Sequence, residues 1–132
     1  MEPKNYIVAA FSLLILDFLW LWSYMTGQYS RMVLSIQSKP LVPNIYAAIA
    51  AYCLMIFGLC WFVMRHIDSD ANKVEKIRQS FLYGGLFGLM VYGIYNFTAA
   101  AVFKNWSYKI LIMDIIWGVL VYSISASIGS IV

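Results

Sequence analysis

The stretch "LLILDFLWLW", residues 13–22, decides the fold, because it places one aspartate, Asp17, inside a long apolar run. The run extends from Tyr6 to Met25, and a helix of about 20 residues crosses the ~30 Å hydrocarbon core of a bilayer. A carboxylate at the centre of such a helix costs at least ~2.5–3.5 kcal/mol to insert when it faces lipid. The stretch therefore predicts a membrane span whose aspartate faces other parts of the protein.

The composition of the whole chain supports a membrane location. The 132 residues are 63% hydrophobic and only 11% charged, whereas soluble domains contain about 25% charged residues. The net charge of +3 is small and dispersed, which argues against a nucleic-acid partner. We expect a single membrane domain, residues 1–132, with the lipid bilayer as its principal partner.

Three further apolar runs follow the first, at residues 44–64, 81–103 and 108–130. Each has about the length that a membrane-spanning helix needs. The connections between the four runs are short, which favours antiparallel neighbours. The predicted fold is an all-α, integral membrane four-helix bundle with spans at 6–25, 44–64, 81–103 and 108–130.

Two connections carry structural signals of their own. Residues 65–80, "RHIDSDANKVEKIRQS", form a charged loop, and Asn72 followed by Glu75 resembles a helix-capping box. The third helix is therefore expected to start near Ala71 and to extend beyond the membrane. Residues 28–39 place Tyr29 and Met32 on one apolar face, which fits either a helix lying in the membrane interface or an ordinary polar loop.

The distribution of Lys and Arg gives an orientation. Five of these residues lie on the side of the amino terminus and four on the opposite side, which favours both termini inside. Trp61 and Trp106 lie near opposite boundaries and are expected to belong to the aromatic belts.

Three strongly polar side chains fall at similar depths in different spans. Asp17 lies about 12 Å below the interface that the first span reaches, Asp114 about 9 Å and Asn96 about 10 Å below the same interface. We expect one inward-facing polar layer of Asp17, Asn96, Asp114 and Thr98. The only Lys or Arg within these spans is Lys109, at the very start of the fourth, so no cation lies at the depth of the aspartates. At least one aspartate is therefore expected to be protonated and hydrogen-bonded to Asn96, Thr98 or a tyrosine.

Helix-packing patterns accompany this layer. The first and fourth spans share Asp-x-x-Trp, and each tryptophan is expected to pack beside its own aspartate. The third span carries small and aromatic residues at steps of four, and the second span has a small and polar face that begins at Asn44 and includes Ala51. The residues expected to pack between helices are Trp20, Trp117, Gly84, Gly88, Tyr92, Tyr95, Ala48 and Tyr52.

No set of residues in the chain predicts catalysis, a cofactor or a metal. His66 is the single histidine, so familiar metal-ligand spacings cannot be assembled. Cys53 and Cys60 are about 10 Å apart along a helix, too far to bridge, and are expected to be buried. An intramembrane aspartyl hydrolase using Asp17 and Asp114 is an alternative, but neither Tyr-Asp nor Gly-x-Gly-Asp occurs here. We therefore expect no enzyme.

The ordered series of motifs resembles a family of small four-span membrane proteins of unknown function, found in bacteria and in some large DNA viruses. In the third span the family carries Tyr-Asp-x-Thr-Asn, whereas this chain retains Tyr95 and Thr98 but has Asn96 and Ala99 at the other two positions. The resemblance implies a fold and a membrane location but no activity. The motifs that carry it are "LDFLW" at 16–20, Tyr29, Asn44, "GGLFGLMVYGIYNFT" at 84–98, Trp106 and "DIIWG" at 114–118.

Two main functions follow as hypotheses. The first is a structural or interaction protein that contacts other membrane or capsid proteins, for example as a minor capsid component in the internal membrane of a virion. The alternative is a small transporter that passes protons, cations or a solute along the polar layer. Four short helices leave little room for such a pathway unless the protein forms oligomers.

Overall fold

The computed structural model describes all 132 residues and contains four helical segments, each long and apolar enough to cross a membrane. It contains no β-strand, so the predicted all-α four-helix membrane fold is confirmed. The segments, called the first to the fourth below, span Pro3–Gln37, Ile45–His66, Lys73–Val102 and Tyr108–Ile131.

Most segments consist of regular α-helix joined to wider π-helical turns. Such turns lie at Leu21–Met25, Leu59–Val63 and Ser80–Gly84, and a 3₁₀ turn at Met64–His66 ends the second segment. Only the fourth segment is a single uninterrupted α-helix. The α-helices are α1 (Pro3–Trp20), α2 (Thr26–Gln37), α3 (Ile45–Gly58), α4 (Lys73–Gln79), α5 (Gly85–Val102) and α6 (Tyr108–Ile131).

Residues 28–37 are helical rather than a polar loop. Helix α2 continues from α1 through the π-helical turn and ends at Gln37, where Ser38 adopts a left-handed conformation with φ 59°. The side chain of Met32 is buried in a cluster with Trp106 and Ile110. The apolar face of α2 therefore packs on the start of α6, and its position in the membrane interface remains a prediction.

The third segment begins at Lys73, close to the predicted start near Ala71. The Asn72 side chain caps this end, because its Oδ1 accepts a hydrogen bond of 2.9 Å from the backbone N–H of Glu75. The Glu75 carboxylate accepts from Arg78 and does not return to the backbone of Asn72. Half of the predicted capping box is thus formed, which is enough to satisfy one free N–H of the first turn.

Helix α6 lies at the centre of the bundle. Twelve of its 24 residues are buried, whereas Gly58 alone is buried among the 14 residues of α3. Small residues allow this central position: a Cβ atom on Gly88 of α5 would overlap the backbone carbonyl of Gly118 on α6. A Cβ atom on Gly84 would lie 2.9 Å from the carbonyl oxygen of Tyr122. The predicted glycine stripe of the third span is therefore where α5 meets α6.

The small face predicted for the second span does not form a packing surface. Every residue from 41 to 51 is exposed, and this range includes Ala48 and Ala51. The expectation that Ala48 packs between helices is therefore wrong. Cys53 is exposed as well, contrary to the expectation of burial, because this half of α3 lies at the periphery of the bundle. Tyr52 is the residue of this face that reaches inward.

We predict that Gly88→Ala destabilises the protein by about 1–3 kcal/mol, because the added methyl forces α5 away from α6. Gly93→Ala is the matched control on the same helix, since a Cβ atom there meets nothing within 4 Å. The control should be neutral or slightly stabilising. Reversible unfolding of both variants in the same detergent measures the difference, and equal stability would contradict the packing described here.

Candidate functional site

The carboxylate of Asp17 is the most highly connected polar group inside the bundle. It is 6% exposed and accepts from the Tyr52 hydroxyl at 2.6 Å, the Trp117 indole Nε1 at 2.9 Å and the Tyr92 hydroxyl at 3.4 Å. These donors belong to the second, fourth and third segments. One side chain of the first segment therefore joins all four segments, and we call this group the Asp17 cluster.

The position of Asp17 follows from the sequence of α1. The buried residues of that helix are Asn5, Ala9, Leu13 and Asp17, at steps of four. Residues at this spacing lie on one face of a helix, and this face packs against α6, where Asn5 Nδ2 donates to the carbonyl of Gly129 at 2.8 Å. Asp17 ends this buried stripe at the depth where aromatic donors of the other helices are found.

A second cluster, the Asp114 cluster, lies nearer to the loop that joins the third and fourth segments. Asp114 is 7% exposed, and its Oδ2 accepts from Asn96 Nδ2 at 2.7 Å and from the Tyr29 hydroxyl at 3.2 Å. The same Asn96 Nδ2 donates to the Tyr92 carbonyl at 2.9 Å, while Asn96 Oδ1 is buried without a partner.

The predicted polar layer is thus divided into two clusters. Asn96 and Asp114 are in contact, but Asp17 makes no hydrogen bond to either of them. Tyr92 links the clusters, since its hydroxyl donates to Asp17 and its carbonyl accepts from Asn96. Thr98 is exposed and belongs to neither cluster, because two residues after Asn96 correspond to about 200° around the helix. Its inclusion in the layer was wrong.

The tryptophans also pair differently from the expectation. Trp117 donates to Asp17 of the opposite helix and not to Asp114, one turn before it. Its ring stacks on Trp20 with centroids 4.9 Å apart and planes 12° apart. The helix rise contains the signal for this pairing, because Trp117 lies about 14 Å and Tyr52 about 12 Å below the interface, close to the depth of Asp17.

The remaining aromatic residues singled out in the sequence differ in how far they are buried. Trp106 is only 8% exposed and touches Tyr95 edge-on, with centroids 6.2 Å apart. The assignment of Trp106 to a lipid-facing belt was therefore wrong, because α2 covers it. Tyr95 is 49% exposed, so it packs between helices only in part. Trp61 is 50% exposed, and the Arg65 guanidinium lies 3.9 Å from its ring centroid, as expected near a membrane boundary.

All hydrogen-bond donors to Asp17 and Asp114 in the two clusters are uncharged groups. Both ion pairs of the chain, Lys4 with Glu2 and Arg78 with Glu75, involve residues outside the predicted spans. No group of three or more His, Cys, Asp or Glu residues could hold a metal ion. In all five hydrogen bonds the aspartate oxygens act as acceptors. The expectation that one aspartate is protonated stays a prediction.

Comparison with known proteins gives one result. The model of a family described as "Predicted membrane protein (DUF2177)" matches residues 3–131. No curated protein and no solved structure matches the chain.

We predict that Asp17→Leu destabilises the protein by about 2–4 kcal/mol, because it leaves buried hydroxyl and indole donors unpaired. Thr98→Val should be nearly neutral, since it changes a polar group that is exposed on the outer surface of the bundle. Unfolding in detergent measures both effects.

A double-mutant cycle of Asp17→Asn with Tyr52→Phe isolates one hydrogen bond of the Asp17 cluster. We expect a coupling energy of about 0.6–1.7 kcal/mol, the range found for polar pairs in membranes. Additive effects of the two substitutions would show that the 2.6 Å contact between Tyr52 and Asp17 does not stabilise the bundle.

Proposed function

The chain belongs to this family of predicted membrane proteins, and within it we propose that the chain is a non-enzymatic integral membrane protein. In this proposal the intramembrane aspartates lock the helices together. The protein then functions through its surface, which contacts other membrane or coat proteins.

This proposal rests on the hydrogen bonds that the Asp17 carboxylate accepts. Its two oxygens accept one hydrogen bond from each of the other three segments. Because the hydrocarbon core offers no water to replace a lost partner, such an arrangement favours one fixed packing of the helices. A group that binds a transported ion or a substrate must exchange partners, whereas this one is already satisfied.

An aspartyl hydrolase fits the same geometry poorly. In the soluble aspartic proteases two carboxyls share a proton and together activate a water molecule. Here Asp17 and Asp114 make no hydrogen bond to each other and use separate sets of donors. This arrangement supports a structural role for both acids.

The charged segment 65–80 offers a contact surface. On α4, Val74 is 78% exposed and Ile77 is 38% exposed, and Lys73 and Arg78 flank them in the sequence. Seven residues separate Val74 from Phe81, so Val74 lies about 10 Å outside the predicted end of the span. Val74 and Ile77 are three residues apart and lie on one face of α4, and in this proposal they form a small apolar contact for a partner, framed by charges.

The internal membrane of a virion, suggested by the resemblance to a family with viral members, is one location for such a protein. There, segment 65–80 would face either the capsid or the particle interior, according to the orientation of the termini. Copurification of the chain with intact particles would support this location, and its absence from purified particles would exclude it.

We predict that the protein reconstituted into liposomes conducts neither protons nor monovalent cations above the rate of protein-free liposomes. The double variant Asp17→Asn with Asp114→Asn should give the same rate as the parent chain. A fluorescent pH dye and a potassium electrode measure the two fluxes. A flux that depends on the protein and falls in the double variant would support the transporter hypothesis and overturn ours.

We further predict that a photoreactive amino acid at position 74 captures a protein partner in the native membrane. The matched control is position 102, because Val102 is 71% exposed at the opposite end of the same segment and should be labelled by lipid alone. Mass spectrometry of the adducts measures the outcome. Lipid adducts alone at both positions would contradict a protein contact at α4.

A further inference from the structure

A groove runs along the bundle between α3 and α5, with α6 as its floor. Its volume is about 710 Å³, and ten of its twelve lining residues are hydrophobic. One wall includes Ala51, Leu54 and Phe62, and the opposite wall includes Phe87 and Val91. The wall residues from 51 to 62 follow the helix for about 16 Å. The groove has the size and apolar lining of a small-molecule site and lies on the surface that faces lipid.

The groove lies beside the second half of α3, where the helix begins to leave the bundle and Leu54 and Phe57 are 71% and 54% exposed. The side chains from 41 to 51 are exposed, whereas Leu59, Val63 and Met64 near the end of the second segment are fully buried. The second segment is therefore anchored at one end. Towards its other end α3 is held by the Tyr52 hydroxyl, which donates to Asp17 of α1.

Three tyrosines, Tyr92, Tyr95 and Tyr122, and one acid, Asp114, bring polar atoms to this apolar groove. Asp114 is 7% exposed, and both of its hydrogen bonds from the protein end on Oδ2. Its Oδ1 has no donor in the protein. Tyr122 on the floor is fully buried, and its hydroxyl has no hydrogen-bond partner. Unlike the Tyr122 hydroxyl, the Oδ1 atom of Asp114 is not fully enclosed by the protein. A carboxylate oxygen without a donor is costly in hydrocarbon, so a donor that enters from the groove would stabilise it.

We propose that the groove binds a single-chain amphiphile with a small head group that donates a hydrogen bond to Asp114 Oδ1. The hydrocarbon chain lies along the groove, between the walls formed by Leu54 and Val91. A long-chain alcohol and a long-chain amine share this chemistry, since each combines an apolar tail with one small O–H or N–H donor.

The depth of the site selects for a small head group. Asp114 lies about 9 Å below the nearer interface, and the lining is apolar except at the few positions described above. A phosphodiester head group would lose its hydration there without gaining a cation, because the only Lys or Arg in the predicted spans, Lys109, lies at the start of the fourth span. An acceptor-only head group, such as an ether, would meet the carboxylate oxygen without a hydrogen bond.

This inference goes beyond the proposed locking role and does not depend on it. Locking uses Oδ2 of Asp114 and the Asp17 cluster, whereas binding uses Oδ1 and the groove walls. The two ideas can therefore fail separately.

The test uses the full chain in phosphatidylcholine nanodiscs and three photoreactive probes with the same sixteen-carbon chain. One probe ends in a hydroxyl, one in an amine and one in a methyl ether. The hydroxyl or the amine probe should label the groove walls, residues 51–62 and 87–95, about tenfold more than the ether does, as expected for one added hydrogen bond to a charged group. The stronger of the two donors identifies the head group.

Ala51→Trp should abolish this labelling, because it fills the groove from an exposed position. Ala50→Trp is the matched control, since Ala50 is also exposed but does not line the groove. The control should label like the parent chain, and both variants should unfold at the parent temperature. Equal labelling by the ether probe, full labelling of Ala51→Trp, or a crosslink between two copies across the groove would overturn the proposal.

Discussion

The bundle depends on one constraint, which is that the carboxylate of Asp17 must find its hydrogen-bond donors inside the protein. Lipid supplies none, and the only Lys or Arg in the predicted spans, Lys109, lies at the start of the fourth span and forms no ion pair. The sequence meets this need with Tyr52, Tyr92 and Trp117, one donor from each of the other segments. Because each donor comes from a different helix, satisfying a single side chain fixes the relative positions of all four.

This constraint acts together with close backbone packing, and the two affect different helices. Glycines bring α5 and α6 together at Gly88 and Gly118, where a Cβ atom would not fit. The first half of α3 has no comparable contact, and the Tyr52 hydroxyl is its link to the interior. The bundle is therefore tight around α6 and open beside α3. The groove is a direct result of this difference in packing.

Much of this architecture could be predicted from the sequence, because span length and helix rise are nearly fixed quantities. The rise placed Asp17, Asn96 and Asp114 at similar depths, and the structure does bring Asn96 to Asp114. Depth alone does not say which way a side chain points around its helix. For that reason Thr98 and Ala48 were assigned to inner faces that they do not occupy. The angle of about 200° between Thr98 and Asn96 already places Thr98 on the outer face, whereas the exposure of Ala48 depends on how α3 packs, which no local pattern encodes.

The π-helical turns are a second reason why side-chain orientation could not be predicted from the sequence. Helices α1, α3 and α4 each run into a π-helical turn, which shifts the angular register of the residues that follow. A helical wheel continued from α1 through Leu21–Met25 therefore does not give the position of the face of α2 relative to α1. For this reason the contact between the Tyr29 hydroxyl and Asp114, at 3.2 Å, was not predicted.

Asn96 in the third span decides what kind of polar site surrounds Asp114. The resemblance to a family of small four-span membrane proteins implies an aspartate at this position, which would set a second acid against Asp114. With asparagine, the contact becomes a donor–acceptor pair of 2.7 Å that needs no shared proton. Its cost is the buried Asn96 Oδ1, which has no partner and lowers stability by about 1–3 kcal/mol. The exchange favours a fixed, hydrogen-bonded pair over a site that takes up and releases protons, as a locking role requires.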